Sequence, residues 1–336
     1  MLVAGLMLES GSSNNTAMNL KQLKALCEVV DRGYTISGAA ESLYRTQPSI
    51  TRQIQELEKE LGIELFVRQR NKILDVTPQG REILKIARRM LEEAKNIHRV
   101  SDELSQVAAG EFSIATTHTQ ARYTLPPVIR KFMQSHPRVK LNLRQGTPAQ
   151  CCELVAQGRA DIAICTETQN QPEEVVVMPC YGLGRSVVTP PGHPLLRVKS
   201  LSLAAIARYP IITYDEGFSA RSIVDKAFAD SGLTPNVVLS AIDADVSKAY
   251  VEMGLGIAIL ATIAFDARKD ARLRRLDAKR LFAPSTLGIV VRRNSYLRGY
   301  MIDFIRLFAP ALKKSDLDKA VAGQRVGPAQ GNLPPL

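Results

Sequence analysis

The chain has 336 residues, of which 45% are hydrophobic and 23% charged, and its formal net charge is +11. This length predicts more than one domain, and the apolar content is ample for packed cores, which argues against a chain that is disordered throughout. No apolar run reaches the ~18 residues that a membrane-spanning helix needs, so we expect a cytoplasmic protein with no membrane partner.

The first seventeen residues predict a disordered extension. They begin with the short apolar run MLVAGLML, which lacks the basic flank and the small-residue cleavage site of an export signal. The polar run GSSNNTA follows. Whether residues 1–17 are native to the protein is left open by the sequence.

The cysteine and histidine content predicts neither a disulfide framework nor a metal site. Five cysteines form no CxxC pair, and the four histidines are scattered. Reduced thiols in a cytosol fit this pattern. A redox-sensing role for the adjacent Cys151 and Cys152 is one interpretation, but buried packing is favoured because cysteine behaves as a small hydrophobic residue.

Residues 18–77 have the pattern of a winged helix-turn-helix. A first helix is predicted near Leu20–Val30, and the stretch ISGAAESLYRTQPSITRQIQELEKEL then carries two apolar helical faces separated by a three-residue turn. Thr46 is a plausible N-cap for the second of these helices, and Pro48 is tolerated in its first turn. Two short apolar strands flanking a basic turn predict a β-hairpin wing that follows.

The polar face of the second helix, together with the wing, is the predicted DNA-binding surface. A helix of this kind fits a major groove, and basic wing residues reach backbone phosphates. A solvated helical hairpin is the alternative interpretation of the helical spacing alone. The predicted DNA-contacting residues are Thr46, Gln47, Pro48, Ser49, Thr51, Arg52, Gln55, Arg68 and Arg70.

The positive charge of the chain does not itself locate this surface. Residues 18–110 hold 15 Lys and Arg against 13 Asp and Glu, whereas residues 268–314 hold 13 against 3. The case for DNA binding therefore depends on local placement. The basic C-terminal stretch is either a second surface facing DNA or a protein partner, or, as we favour, a solvated face.

Residues 78–110 predict a long linker helix that dimerises. Spacings of four and three residues form a heptad seam, and an isolated helix of this length would expose that apolar stripe. Pairing with a second copy would place two recognition helices in successive grooves. The seam residues are Ile83, Ala87, Met90, Ala94, Ile97, Ser101 and Leu104.

Alternating strands and helices predict a two-lobed α/β domain over residues 111–312. The first lobe should comprise about 111–184 and 283–312 and the second about 185–282, with a ligand at the strand ends between them. The Gly- and Pro-rich tail, 313–336, predicts disorder. The expected architecture is α/β, with an N-terminal winged helix-turn-helix, a long linker helix and a two-lobed effector domain like a periplasmic binding protein.

The N-terminal motifs resemble a known family. The run AAESLYRTQPSITRQIQELEKELGIELFVR, followed by Thr77-Pro78-Gln79-Gly80, is similar to the DNA-binding domain of LysR-type transcriptional regulators. Thr51 stands where that family usually has serine, and the hydroxyl is kept. The resemblance, which covers about residues 18–312, implies a regulator that binds promoter DNA, contacts RNA polymerase and assembles as a homodimer or homotetramer.

Three polar segments are predicted to line the mouth between the lobes. Thr116-Thr117-His118-Thr119-Gln120 and Cys165-Thr166-Glu167 each follow a strand of the first lobe, and Gly217–Ser222 precedes a helix of the second. Hydroxyls, an amide and free N–H groups suit a small anion or zwitterion better than an apolar ligand.

The same segments resemble the CysB-like branch of the family, the regulators of sulfur assimilation. That resemblance implies no cofactor, but an effector such as sulfate, thiosulfate, O-acetylserine, N-acetylserine or adenylyl sulfate. It carries the effector-binding role onto Thr117, Thr119, Gln120, Thr166 and Ser219, the last of which replaces an expected threonine. Asp243 and Asp245 are either orienting groups for a ligand amine or structural caps.

The function expected from these features is mainly activation of sulfur-assimilation and cysteine-biosynthesis genes. Regulation of sulfonate or sulfate-ester use is the alternative within the family. An enzyme is not expected, because no catalytic order of Ser, His and Asp is present and Gly254-Leu255-Gly256 lacks the third glycine of a dinucleotide loop. A two-lobed anion-binding protein without a promoter role is disfavoured by the DNA-binding head.

Overall fold

The computed structural model describes residues 18–70, 72–104, 110–168, 170–324, 326 and 333–336, without the side chains of 98, 99 and 102–104. The predicted extension, residues 1–17, lies outside this range. The chain divides into two compact units, 1–95 and 96–336. Among the described helices, none combines the length and hydrophobicity needed to cross a bilayer.

The first unit is the predicted winged helix-turn-helix. Three helices are followed by a two-stranded antiparallel hairpin: α1 Leu20–Asp31, α2 Ile36–Ser42, α3 Gln47–Leu61, β1 Phe66–Gln69 and β2 Lys72–Val76.

Local sequence fixes the boundaries of these helices. A capping box between Asn19 and Gln22 starts α1, and Gly62, in a left-handed conformation with φ 66°, ends α3. The apolar faces of the three helices meet in one core, where Leu26, Ile50 and Leu57 are fully buried. This packing leaves the opposite face of α3 to solvent.

Helix α4, Pro78–Leu104, is the predicted linker, and it carries two apolar stripes. One packs against the core of the first unit through Leu84 and Ala87, with Ile83 partly buried. Ala87, assigned to the dimer seam from its spacing, is therefore a core residue, and that part of the prediction is wrong. Predicted seam residues Met90 and Ile97 are exposed, and the side chain of Leu104 lies outside the described residues.

Gly80 allows the close approach of α4 to the wing. A Cβ at this position would lie 2.2 Å from the carbonyl oxygen of Leu65, a backbone atom that cannot move aside alone. Glycine is therefore required here for contact and not for an unusual φ.

The second unit contains two lobes, each built on a five-stranded mixed sheet. The first sheet has the order β4-β3-β5-β12-β6 and the second β11-β7-β10-β8-β9. The first-lobe strands are β3 Gly110–Thr116, β4 Val139–Gln145, β5 Ile162–Thr166, β6 Val175–Leu183 and β12 Ser285–Arg292. The second-lobe strands are β7 Arg185–Thr189, β8 Ile211–Tyr214, β9 Val237–Ala241, β10 Ile257–Ala261 and β11 Arg274–Asp277.

Helices cover both sheets. Those of the first lobe are α5 Leu125–Ser135, α6 Pro148–Ala156, α10 Gly299–Phe308 and α11 Lys314–Val321, and those of the second are α7 Leu203–Ile206, α8 Ser219–Asp230 and α9 Ala244–Glu252. The chain crosses between the lobes at Gly184 and returns to the first lobe before β12. Strand β7 is antiparallel to β10 and β11, whereas β8 is parallel to β9 and β10.

The C-terminal segment differs from its predicted disorder. Helix α11 buries Leu317 and Ala320 in the core of the first lobe, and Val326 is also buried there. The prediction of disorder is therefore wrong for residues 314–321, which contain neither glycine nor proline, because a few apolar side chains suffice to hold a short helix against an existing core.

Candidate functional site

The exposed face of α3 presents the polar residues predicted to contact DNA. Gln47, Pro48, Thr51, Arg52 and Gln55 line one open depression on this face. Thr46 occupies the predicted N-cap position, but its side chain makes no capping hydrogen bond, so the hydroxyl is available to another partner. Thr46 is exposed and Ser49 is partly buried beside these residues.

The three predicted arginines of this surface differ in their freedom. Arg52 forms an exposed ion pair with Glu56 at 2.7 Å, a weak kind of contact that can be exchanged for a phosphate. Arg68 pairs at 2.8 Å with Glu58, which is largely buried and also accepts from the N–H of Leu65, so Arg68 is held to the helix. Arg70 is exposed at the wing tip, where its φ is 45°.

A narrow cavity of about 30 Å³ lies between the two lobes of the second unit. This volume is well below the ~300–1,000 Å³ typical of small-molecule pockets, so any ligand larger than a few atoms requires the lobes to move apart. Residues of both lobes contribute to the wall, as do residues beside Gly184, where the chain first crosses between the lobes. The lining residues are Thr117, Thr119, Gln120, Thr166, Leu183, Arg185, Tyr214, Phe218, Ala220, Ala261 and Ser285.

The segment after β3 supplies donors without partners in the described chain. Thr116 anchors the end of the strand by donating to the carbonyl of Ile164 at 2.7 Å. Thr117 and Thr119 are 3% and 7% exposed, and their hydroxyls make no hydrogen bond with any described residue. Gln120 accepts from Thr124 through Oε1, which leaves its amide nitrogen to donate.

A π-helical turn, Gln120–Thr124, follows this segment and turns the chain into α5. Such turns are rare and are found disproportionately at functional sites. No residue pattern in the sequence indicated it.

Hydroxyl groups from three elements meet on the other side of the cavity. Ser219, at the start of α8, donates to Thr166 at 3.1 Å and lies 3.3 Å from the hydroxyl of Ser285. Ser219 does not itself line the cavity, whereas Thr166 and Ser285 do. Of the two residues predicted to contact an effector here, Thr166 lies on the cavity wall and Ser219 lies one hydrogen bond behind it. Ser285 was not among the residues that the sequence indicated.

Arg185 is the second cavity residue that sequence reasoning missed. It begins β7 and lies between the apolar runs VVVMPCYGLG and SVV, where a charged residue between two buried strands is itself a signal. Its side chain is 1% exposed. Burial lowers the pKa of the guanidinium, which nevertheless stays charged because arginine does not deprotonate in proteins.

Glu167 joins the ends of β5 and β12 beside the cavity. Its carboxylate accepts from the N–H of Thr286 at 2.5 Å, and its own N–H donates to the carbonyl of Thr286 at 3.0 Å. Burial raises the pKa of Glu167, although the N–H of Thr286 and the charge of Arg185 oppose the shift.

This raised pKa predicts a pH-dependent stability. The folded state binds the Glu167 proton more tightly than the unfolded state does, so the wild type should lose stability as pH rises from about 4.5 through the folded pKa. Glu167→Gln keeps an acceptor for Thr286 without the charge. We therefore expect the unfolding free energy of the variant to rise relative to that of the wild type as pH increases over this range. Urea unfolding from pH 4 to 8 tests this, with exposed Glu174→Gln as the control. A constant difference between wild type and Glu167→Gln would refute the assignment.

A polar network, buried at Lys248 and Asp270, links the same π-helical turn to the second lobe. Tyr123 donates to Asp245 of α9, and Arg122 donates to the same carboxylate at 3.2 Å. Lys248 completes the network, as it contacts Tyr123, Asp245 and Asp270. Burial and the hydrogen bond to Asp245 raise the pKa of Tyr123 to about 12, so the phenol stays protonated.

The two aspartates considered as amine-orienting groups have structural partners. Asp243 caps α9 by accepting from the N–H of Asp245, and its carboxylate lies 3.1 Å from Nδ1 of His118. Neither residue lines the cavity. Both aspartates therefore fit the interpretation as structural groups better than the interpretation as orienting groups for a ligand amine.

The cysteines are all buried and free. Contacts with the thiols of Cys151 and Cys152, together with burial, raise the pKa of Cys165, which keeps that thiol protonated and unreactive. Cys151 and Cys152 are themselves fully buried in the core of the first lobe, which favours packing over redox sensing, although the hydrogen bond with Cys165 lowers the pKa of Cys152. Among the described residues, no cluster of histidine, cysteine or acidic side chains has the arrangement of a metal site.

Comparison with known sequences identifies the family. Residues 20–81 match the family described as "Bacterial regulatory helix-turn-helix protein, lysR family", and residues 105–313 match "LysR substrate binding domain". The chain belongs to the LysR family of transcriptional regulators. It is therefore a DNA-binding regulator and not an enzyme.

Similar curated proteins fall within the CysB-like branch. This regulator is 42% identical over 300 residues to the HTH-type transcriptional regulator SsuR of Burkholderia cenocepacia, with 89% of this chain and 97% of SsuR covered. It is also 42% identical over 303 residues to CysB of Haemophilus influenzae, with 90% and 94% covered.

Solved structures agree with the fold. The cofactor-binding domain of the Cbl transcriptional regulator is 40% identical, with a TM-score of 0.61, and covers 63% of this chain and 93% of its own. A full-length OxyR variant from Pseudomonas aeruginosa, at 22% identity, has a TM-score of 0.71 over 89% of this chain and 98% of its own, and shows the shared fold alone.

Proposed function

We propose that this regulator activates genes of sulfur assimilation and cysteine biosynthesis in response to a small anionic or zwitterionic effector that binds between the lobes. One observation carries the effector part of the proposal. Thr117 and Thr119 are buried residues whose hydroxyls lie on the wall of the cavity and have no hydrogen-bond partner in the described chain. A ligand oxygen in the cavity could accept the hydrogen bonds that these hydroxyls do not give to the protein.

The chemistry of the wall sets the class of effector. Hydroxyls of Thr117, Thr119, Thr166 and Ser285, the amide of Gln120 and the first-turn N–H groups of α8 are all able to donate. Sulfate, thiosulfate, O-acetylserine, N-acetylserine and adenylyl sulfate all present oxygens to such a wall. The similarity to SsuR and CysB supports a sulfur-related signal.

Regulation of sulfonate or sulfate-ester use is the second candidate. The cavity chemistry is the same for both, and the similarity to SsuR is as high as that to CysB. The two functions differ in the genes that are controlled and not in the site.

On DNA, we infer that α3 and the wing act as predicted. Thr46, Gln47, Pro48, Ser49, Thr51, Arg52 and Gln55 would face the major groove, with Arg70 on a phosphate and Arg68 reaching one only by leaving Glu58. Effector binding would shift one lobe against the other. In a homodimer or homotetramer in the cytoplasm, that shift would change the spacing of paired recognition helices and hence the contact with RNA polymerase.

Calorimetric titration of the full-length regulator with the five candidate effectors tests this proposal. At least one should bind saturably, and Thr119→Ala should weaken it by about 1–3 kcal/mol because a buried donor is lost. Thr189→Ala removes the same atoms from a buried site in the second lobe, outside the cavity wall, and is the matched control. The bound effector should also change the footprint on a genomic fragment selected by the protein. Absence of binding by all five would overturn the effector assignment but not the family.

A further inference from the structure

The end of the chain pairs with the outer edge of the first sheet, beside the point where the chain first crosses between the lobes. Strand β6 is the outermost strand of that sheet and leads into the crossing. The N–H of Gly182 donates to the carbonyl of Pro334 at 2.9 Å, and the N–H of Leu336 donates to the carbonyl of Gly182 at 3.3 Å. Pro335 therefore forms a parallel bridge with Gly182. We call residues 333–336 the C-terminal strap.

The sequence of the C-terminal strap suits this position. Proline has a fixed φ and no N–H, so in sheets it is confined to edges and to places where its missing donor is not needed. The pairing uses the carbonyl of Pro334 and the N–H of Leu336, so neither proline lacks a donor that the bridge requires. Leu333 is partly buried, whereas the three residues that follow it are exposed. The strap therefore buries little apolar surface and is able to leave the sheet without opening a core.

The strap fixes one of two glycines at the first crossing. Gly182 and Gly184 flank Leu183, and glycine has more backbone freedom than any other residue. On the cavity side, Arg185 donates to the carbonyls of Leu183 at 2.8 Å and Gly184 at 3.4 Å. On the outer side, the strap is bonded to both main-chain groups of Gly182. The strap therefore removes the backbone freedom of Gly182 and leaves that of Gly184.

Gly182 also lies against the second crossing. A Cβ built on this residue would be 3.6 Å from the side chain of Pro284 and 3.9 Å from the carbonyl oxygen of Leu333. Pro284 immediately precedes β12, the strand by which the chain returns to the first lobe. The strap therefore lies where the two crossings come together. Domain movements are concentrated in a few such residues, which absorb the changes in φ and ψ.

We propose that the C-terminal strap stiffens this hinge, keeps the lobes in the arrangement with the narrow cavity, and so limits how often they open to admit an effector. This inference rests on the proposed effector site. Because the cavity is narrow, an effector larger than a few atoms enters only when the lobes rotate about the two crossings. With the strap in place, that rotation uses Gly184 alone or breaks the hydrogen bonds of Gly182. Pairing at a chain end is among the first to open, so the strap is a removable restraint.

Hydrogen exchange on the full-length protein, without any effector, tests the strap itself. Leu336→Pro removes the N–H that bonds Gly182 and keeps the chain length, while Leu336→Ala keeps the N–H and is the matched control. In Leu336→Pro, exchange in peptides that span residues 179–186 should be about 3- to 10-fold faster, as expected for the loss of one main-chain hydrogen bond. Deletion of residues 333–336 should have at least the same effect. Peptides of β8 and β10 in the second lobe should exchange as in the wild type.

The kinetics of effector binding test the consequence for regulation. Surface plasmon resonance on the immobilised full-length protein measures the on-rates of N-acetylserine and adenylyl sulfate, both of which are larger than the narrow cavity admits. Deletion of residues 333–336 should raise these on-rates about 3- to 10-fold, because the lobes open more often. Leu336→Ala should bind as fast as the wild type.

The outcomes separate this inference from the proposed function. If deletion of the strap leaves exchange in residues 179–186 unchanged, the strap holds nothing and the inference is overturned. Faster exchange throughout the first lobe would show a general role in folding, and unchanged on-rates would show that opening does not limit entry. Either result overturns the inference while the effector site stands. If no candidate effector binds, the effector site fails, and the exchange experiment alone decides whether the strap stiffens the hinge.

Discussion

Replacing Lys248 with methionine is expected to lower the free energy of unfolding of the second unit by about 3–5 kcal/mol. The ammonium of Lys248 is 7% exposed and donates to Asp270 at 2.9 Å and to the carbonyl of Ala264 at 3.0 Å. Its loss would leave the carboxylate of Asp270, itself 8% exposed, buried without its cation. Removing one partner of such a pair costs more than the pair contributes, because the remaining charge stays desolvated.

The location of this network makes the variant informative about the effector site as well. Tyr123, which Lys248 contacts at 3.0 Å, lies in the π-helical turn that follows Thr119, whereas Lys248 belongs to α9 of the second lobe. The contact therefore holds the donor segment against the opposite lobe. Burial on its own would lower the pKa of Lys248, but hydrogen bonds to Tyr123, Asp245 and Asp270 raise it above its ordinary value.

Hydrogen exchange read by mass spectrometry measures the effect segment by segment, which suits a chain of two units. Circular dichroism adds a global value, since the chain has no tryptophan. Lys226→Met is the control, because Lys226 forms an exposed ion pair with Asp230 and should change stability by less than about 1 kcal/mol. Lys248→Met combined with Asp270→Asn should recover part of the loss. If the single variant costs no more than the control, the network does not stabilise the unit.

The prediction of a polar cavity depended on the expected order of strands more than on the types of residue at the strand ends. Parallel strands end at a common edge, so Thr117, which follows β3, and Thr166, which ends β5, had to lie near one another. Arg185 and Ser285 were missed because they belong to the crossing strands, and their position depends on how the two lobes pair. Within a buried apolar strand, the sequence pattern does not indicate which side chain points into a cavity and which packs in the core.

Other differences have equally local causes. Thr46 takes the N-cap position without forming the capping bond, since backbone conformation and side-chain rotamer are decided separately. Ser219 was carried over by resemblance as a ligand contact, yet it donates to Thr166. The shorter side chain, without the methyl group of threonine, lies behind the wall and not on it.

Helix α4 shows the limit of periodicity most clearly. Spacings of three and four residues identified the helix, but two apolar stripes run along it, and spacing does not tell which one meets the core of the same chain. Leu84 and Ala87 face that core. Ile86, Met90, Ile97 and Val100 are 36–71% exposed and are themselves spaced as a heptad seam, allowing for Glu93 between them.

Ile97→Glu is therefore expected to convert the regulator to a monomer and to weaken its binding to a two-site operator by about 100- to 10,000-fold. Ile97 is the most exposed residue of the stripe, at 71%, and a glutamate there would be desolvated beside its own copy in a dimer. Losing the dimer removes the high effective concentration of the second recognition helix. Each α3 would then bind its half-site alone, mostly through phosphate contacts that depend on salt.

The comparison that isolates this effect uses a variant of equal charge on the same helix. Lys85→Gln also lowers the charge by one, but Lys85 lies more than 100° around the helix from Ile97, by the geometry of about 100° per residue. Light scattering gives the oligomeric state, and fluorescence anisotropy on one-site and two-site DNA gives the affinities. Ile97→Glu should bind one-site DNA as Lys85→Gln does and differ only on the two-site fragment. A dimer that persists in Ile97→Glu would mean that the exposed stripe is not the interface, and equal loss on both fragments would mean that the charge itself acts on DNA.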